Sequence, residues 1–188
     1  SIVADLFMDP GDTLVLPDKL WGNYQMIFCI RRQGNITKFP FFTKEGKFNT
    51  LGMKEALLAQ KEQGKALVLL NFPNNPTGYT PGEEEAEEIV KALLEVADAG
   101  INLVVLTDDA YFGLFYEDSI KESLFARLAG IHPQILPIKI DGPTKEEYVW
   151  GFRVGFITYG DSSPVVCDVL ENKTKAIIRG TISNASHP

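Results

Sequence analysis

The 188-residue chain is poor in the residue types that would assign it quickly to several classes. It has two cysteines, Cys29 and Cys167, far apart and without a C-x-x-C pattern. That excludes a disulfide scaffold and a thiolate metal site, and predicts two buried thiols in a reducing compartment. The two histidines, His132 and His187, are too distant in sequence for metal-ligand spacing, so no metal is expected. No apolar run approaches the ~20 residues of a membrane span. No basic segment followed by an apolar one opens the chain, so no signal peptide is read and the cytoplasm is the expected location. Positive charge is also scarce: the net charge of −7 argues against nucleic acid or an anionic membrane as partner. There is no P-loop, no G-x-G-x-x-G, and no base near Thr77 or the Ser162-Ser163 pair to activate a hydroxyl.

What is present is an alternation of short apolar runs with amphipathic stretches. This pattern predicts one α/β domain over residues 1–188, three-layered, with helices on both faces of a mainly parallel sheet. Strands are expected at Thr13–Leu16, Ile36–Phe42, Ala66–Leu70, Leu103–Leu106, Ile135–Ile140 and Val154–Tyr159, the last antiparallel to a neighbour. Pro137 argues against the fifth, because it cannot donate to a ladder. Helices are expected at Ile2–Met8, at Thr50–Gln63 stopped by Gly64, and from Pro81, where Ala86, Ile89, Val90, Leu93, Leu94 and Ala97 recur at helical spacing. Glu83, Glu84 and Glu85 read as a solvated face favoured by the helix dipole. Ser163-Pro164 starts a last helix through about Lys173.

In an open α/β sheet, ligands bind beyond the carboxyl ends of the strands. Polar residues capable of chemistry fall at several of these ends. Asn71–Gly78 reads N-F-P-N-N-P-T-G after the third strand, and Thr107–Tyr111 reads T-D-D-A-Y after the fourth. Asp141–Gly155 reads D-G-P-T-K-E-E-Y-V-W-G-F-R-V-G after the fifth. It brings an amine, Lys145, near Arg153, a planar cation suited to phosphate. Trp21-Gly22-Asn23-Tyr24 follows the first strand, and Arg179–Asn184 reads R-G-T-I-S-N.

Together these segments resemble the class I/II aminotransferases, fold-type I pyridoxal-phosphate enzymes similar to aspartate aminotransferase. The motifs run in family order from Trp21 to Asn184. The resemblance implies pyridoxal 5′-phosphate as cofactor. It implies that Lys145 forms an imine with the cofactor aldehyde and then carries the substrate proton, and that Asp108 pairs with the ring nitrogen. Asn75 and Tyr111 then donate to the ring oxygen, Trp21 stacks on the ring and Arg153 clamps the phosphate. Arg179 binds the distal carboxylate of a dicarboxylic substrate across a homodimer interface. Asp109 is left as a helix cap or surface acid, and Tyr24 stands where relatives often have histidine. Gly142 stands where relatives often have a phosphate-binding serine, with Thr144 as a partial substitute.

The implied reaction is transfer of an amino group from an amino acid to a 2-oxo acid. The family's N-terminal phosphate-binding turn and C-terminal small domain are absent from these residues, so the chain alone is expected to be inactive. Two alternatives use the same scaffold: a lyase, and a non-catalytic sensor domain of a transcription regulator.

Overall fold

The structure is a computed structural model that describes residues 1–161 and 163–181. Six strands form one sheet: β1 (Thr13–Pro17), β2 (Asn35–Phe39), β3 (Lys65–Asn71), β4 (Asn102–Asp108), β5 (Ile135–Asp141) and β6 (Phe156–Tyr159). Their order is β2-β1-β3-β4-β5-β6. The first five are parallel, and β6 runs antiparallel to β5. The α-helices are α1 (Ile2–Phe7), α2 (Thr50–Leu58), α3 (Glu83–Asp98), α4 (Leu124–Leu128) and α5 (Pro164–Thr181), with a π-helical segment at Gln25–Ile30 and short 3₁₀ turns at Lys61–Gln63 and Trp150–Phe152.

The buried strands explain the uninterrupted apolar runs. Successive side chains point to opposite faces, so each run feeds two cores. Ala66, Val68 and Leu70 of β3 pack with α2 and α3, through residues such as Met53 and Ile89. Leu67 and Leu69 of the same strand pack on the other face with Val3, Ala4 and Phe28. The architecture is therefore helix, sheet, helix, as the alternation predicts.

The differences from expectation lie at element ends. β2 stops at Phe39 because Pro40 follows and cannot continue the ladder. The helix at Thr50 ends at Leu58 and is followed by a separate 3₁₀ turn, Lys61–Gln63, before Gly64 closes it at φ 66°. Pro81 lies ahead of α3, whose N-cap is Gly82. Glu85 is not a solvated acid: its carboxylate accepts from the Gly82 amide at 3.1 Å, the Phe48 amide at 3.1 Å and the Tyr79 hydroxyl. Glu83 pairs with Arg127 at 2.5 Å. The last helix continues to Thr181 rather than ending near Lys173. The two cysteines are free thiols, half-buried rather than buried.

Pro137 does sit inside β5, opposite Val105 of β4. Its carbonyl accepts from the Gly160 amide at 3.0 Å, and the Gly160 carbonyl takes the Gly130 amide at 3.0 Å instead of a strand donor. The missing N–H therefore leaves no carbonyl without a partner there.

Candidate functional site

The strand order reverses between β1 and β3: the chain goes outward from β1 to β2, then returns to the other side of β1 at β3. At such a switch point the loops leaving the carboxyl ends diverge and leave a crevice. A cavity of about 140 Å³ lies there, lined by Trp21, Tyr24, Asn71, Asn75, Asp108, Ala110, Tyr111 and Lys145. Four chain segments supply it, following β1, β3, β4 and β5.

Asp108 is the last residue of β4 and sits beside Asn71, the last of β3. Its Oδ1 accepts from the Ala110 amide at 3.1 Å, and its Oδ2 accepts from the Tyr24 hydroxyl at 2.7 Å. The carboxylate is thus fixed from two sides at the cavity wall. Tyr24 is only 5 % exposed. Burial, and then the adjacent Asp108 charge, push its phenol far above the ordinary value, so it remains a donor. The Tyr24 ring also meets Trp21 edge-on, with centroids 5.5 Å apart. Trp21 itself is 41 % exposed and forms an open side of the cavity.

The segment after β3 is folded by its own asparagines. Asn74 Oδ1 accepts from the Thr77 amide at 3.2 Å and from its hydroxyl at 2.8 Å, an Asx-type turn that orders the N-P-T-G stretch. Asn71 Oδ1 accepts from the Asn75 amide at 2.8 Å. Asn75 is half-buried at the cavity, and Lys145 enters from the β5 side with Nζ 5.5 Å from the Tyr111 ring centroid.

Five of the seven site residues predicted from sequence therefore meet: Trp21, Asn75, Asp108, Tyr111 and Lys145. Arg153 does not line the cavity; it is exposed, in the left-handed region at φ 54°. It is nonetheless in a neighbouring loop. A Cβ built on Gly142 would lie 2.9 Å from the Val154 carbonyl and 3.3 Å from Gly155 Cα, so the segments carrying Lys145 and Arg153 touch backbone to backbone. This contact is a physical reason for glycine at 142: a serine there would collide with Val154. Arg179 is exposed on the last turn of α5, away from the cavity lining. Ser183, Asn184 and His187 lie outside the described residues, as does Ser162.

One reading is corrected. Asp109 is neither a cap nor a surface acid but a 5 % exposed carboxylate. Its side chain borders a separate, very small cavity with Leu70, Phe72, Thr107 and Ser123, where its Oδ2 has no hydrogen-bond partner among the described residues. Burial is the main cause that raises its pKa to about 6, opposed first by the neighbouring Ser123 hydroxyl and then by Lys139, whose Nζ is 3.9 Å away and pairs more closely with Asp141 at 2.7 Å. Sequence reasoning also gave no role to Asn71 and left Tyr24 open. A polar residue at a strand's carboxyl end was the available signal for the first.

The sequence profile of the family "Aminotransferase class I and II" matches residues 1–187. The chain belongs to the class I and II aminotransferases, the fold-type I pyridoxal-phosphate family. Within this family it is similar to a probable aspartate/prephenate aminotransferase of Rickettsia conorii, 27% identical over 162 residues, covering 83% of this chain and 37% of that protein. An aspartate aminotransferase of Musicola paradisiaca is 29% identical over 150 residues, covering 80% and 34%. Among solved structures, an aminotransferase from Anaerococcus prevotii superposes with a TM-score of 0.89 at 26% identity, covering 99% of this chain and 46% of that one. The chain thus spans less than half the length of these relatives.

Proposed function

We propose that this chain is the cofactor-binding part of a pyridoxal-phosphate-dependent aminotransferase that moves an amino group from an amino acid, such as aspartate, to a 2-oxo acid. The observation that carries the reading is the convergence of a twice-held carboxylate, two hydrogen-bonding side chains, an indole and an amine on one cavity at the sheet's switch point. When bound, pyridoxal phosphate supplies a protonated ring nitrogen that acts as a sink for the negative charge developed at the substrate α-carbon.

The donor set fits the ring end of that group. Asp108 is the anionic partner for the ring nitrogen, and the Tyr24 phenol keeps it oriented by a charge-assisted hydrogen bond. Asn75 and Tyr111 donate to the ring oxygen. Trp21 covers one face and excludes water from it. Lys145 holds the cofactor through Nζ and, when released by substrate, moves the proton at the α-carbon. At the phosphate end Arg153 serves from the loop beside Gly142, and the Thr144 hydroxyl is the candidate to take the place of the family's serine. Gly142 offers no side chain and has no room for one.

The substrate class is suggested by the names of the relatives, which are called aspartate or aspartate/prephenate aminotransferases. Arg179, exposed on α5, is the candidate for a distal substrate carboxylate, presented across a homodimer. The chain spans less than half the length of these relatives, and its 188 residues alone are expected to bind the cofactor better than they turn over substrate.

The test is covalent. After incubation with pyridoxal phosphate and borohydride reduction, peptide mass spectrometry should find the cofactor on Lys145 and nothing in Lys145→Ala. Equal labelling of Lys139 and other lysines, undiminished in Lys145→Ala, would sink the assignment.

A further inference from the structure

We infer that Asn71 is a positioning residue that fixes the Asn75 loop and the Asp108 strand end to one another; the inference rests on the cofactor reading of this cavity. Asn71 closes β3, directly across the ladder from Asp108 at the end of β4. The residue is 6 % exposed and borders the cavity. Nδ2 donates to the Asp108 carbonyl at 2.8 Å, while Oδ1 accepts from the Asn75 amide at 2.8 Å. One amide group therefore ties together the backbone of two residues whose side chains are both assigned to the same ring.

The chemistry requires an amide of this length. An asparagine offers a donor and an acceptor on one short, planar group. Aspartate has the same shape but would set an oxygen against the Asp108 carbonyl and add a charge beside the Asp108 carboxylate. Leucine or alanine would leave a carbonyl and an amide without these bonds near the floor of the cavity. With the bridge in place, the separation of Asn75 from Asp108 is set before any ligand arrives. The ordering of two loops then does not have to be met from binding free energy.

Two variants and two measurements decide this. Amide hydrogen exchange on the cofactor-free full chain needs no ligand. In Asn71→Ala the Asn75 amide should exchange about tenfold faster or more, since one lost bond of ordinary strength corresponds to roughly that factor. Amides in the middle of α3 should change much less. In Asn71→Asp the Asn75 amide should stay protected, because its acceptor survives.

Pyridoxal-phosphate titration is the second arm. Asn71→Ala and Asn71→Asp should each weaken binding by about tenfold. In an Asn75→Ala background the further loss from Asn71→Ala should shrink to less than about threefold, the non-additivity expected of residues acting as a unit. Unchanged Asn75 exchange in Asn71→Ala overturns the bridge, and so do losses that simply multiply. A wild-type chain that takes up no cofactor, yet loses Asn75 protection in Asn71→Ala, overturns the cofactor reading and keeps the bridge. If Asn71→Ala does not fold, the Asn71→Asp pair of measurements stands alone: lost Asn75 protection there, or undiminished affinity, overturns the bridge.

Discussion

The Tyr24 hydroxyl and the Asp108 carboxylate, 84 positions apart in the chain, are joined by a 2.7 Å hydrogen bond. The bond links the segment after β1 to the end of β4 across β3, and the same tyrosine ring holds Trp21 edge-on. Tyr24→Phe keeps the ring and removes the donor. Cofactor affinity should fall about tenfold, in line with roughly 1.5 kcal/mol for a hydrogen bond to a charged group. An absorbance titration with pyridoxal phosphate reads this directly. Undiminished affinity in Tyr24→Phe would mean that the Ala110 amide alone suffices to orient the carboxylate.

Asp109 gives a pH dependence whose sign is fixed by its burial. Its folded pKa, about 6, lies above the ordinary value of 3.8. Between these values the folded state holds a proton that the unfolded state has released. Stability contributed by this group is therefore full below about pH 4, falls as pH rises to about 6, and stays low above it. Asp109→Asn removes that loss. Urea unfolding should show the variant gaining on the wild type from pH 4 to 6, with a constant advantage of up to about 3 kcal/mol above pH 6. Lys139 keeps Asp141 as its closer partner, which limits the opposing loss. A difference that stays flat across this range would show that Asp109 titrates normally.

Gly142 supplies a third expectation. Because a Cβ there would meet the Val154 carbonyl at 2.9 Å, Gly142→Ser should destabilise the chain by about 1–3 kcal/mol, the range for an overpacked site. It should not tighten cofactor binding, even though relatives often use a serine at this place. Urea midpoints and an affinity titration on the same variant separate the two effects. Tighter binding at unchanged stability would show that the loop yields easily.

Trp21 allows a direct optical test. The chain has two tryptophans, and Trp150 is exposed and outside the cavity. In a Trp150→Phe background, pyridoxal phosphate should quench most of the remaining emission, with the same midpoint as the absorbance titration. Emission indifferent to the cofactor would place the ring elsewhere than on Trp21.

Much of this site can be read from residue order alone, and the reasons differ by residue. The apolar runs mark strands because both sheet faces are covered, which leaves no alternation to misread. Asn75, Asp108, Tyr111 and Lys145 fall just past strand ends, where an open parallel sheet puts its loops together. The adjacent acids Asp108 and Asp109 look alike in sequence, but strand pleat sends one to the cavity and the other into the core. No local pattern says that Asp109 lacks a full set of partners. Asn71 shows in the sequence only as a polar residue at a strand end; its bridging role is hidden because one partner, Asp108, comes within reach only through the register of β3 against β4. The helix α5 runs past Lys173 because no glycine or proline there stops it; Gly180 is the first glycine after Gly160.

The cavity's walls come from positions 21 to 145, carried on four strands that pair out of sequence order. Its existence is therefore all-or-none with the sheet. Contacts of such long sequence separation form only after large loops close, so the pocket belongs to the late part of folding. No single strand-and-loop peptide cut from this chain can hold even a weakened copy of it. Minimising the binding unit will fail by abrupt loss, not by gradual decline.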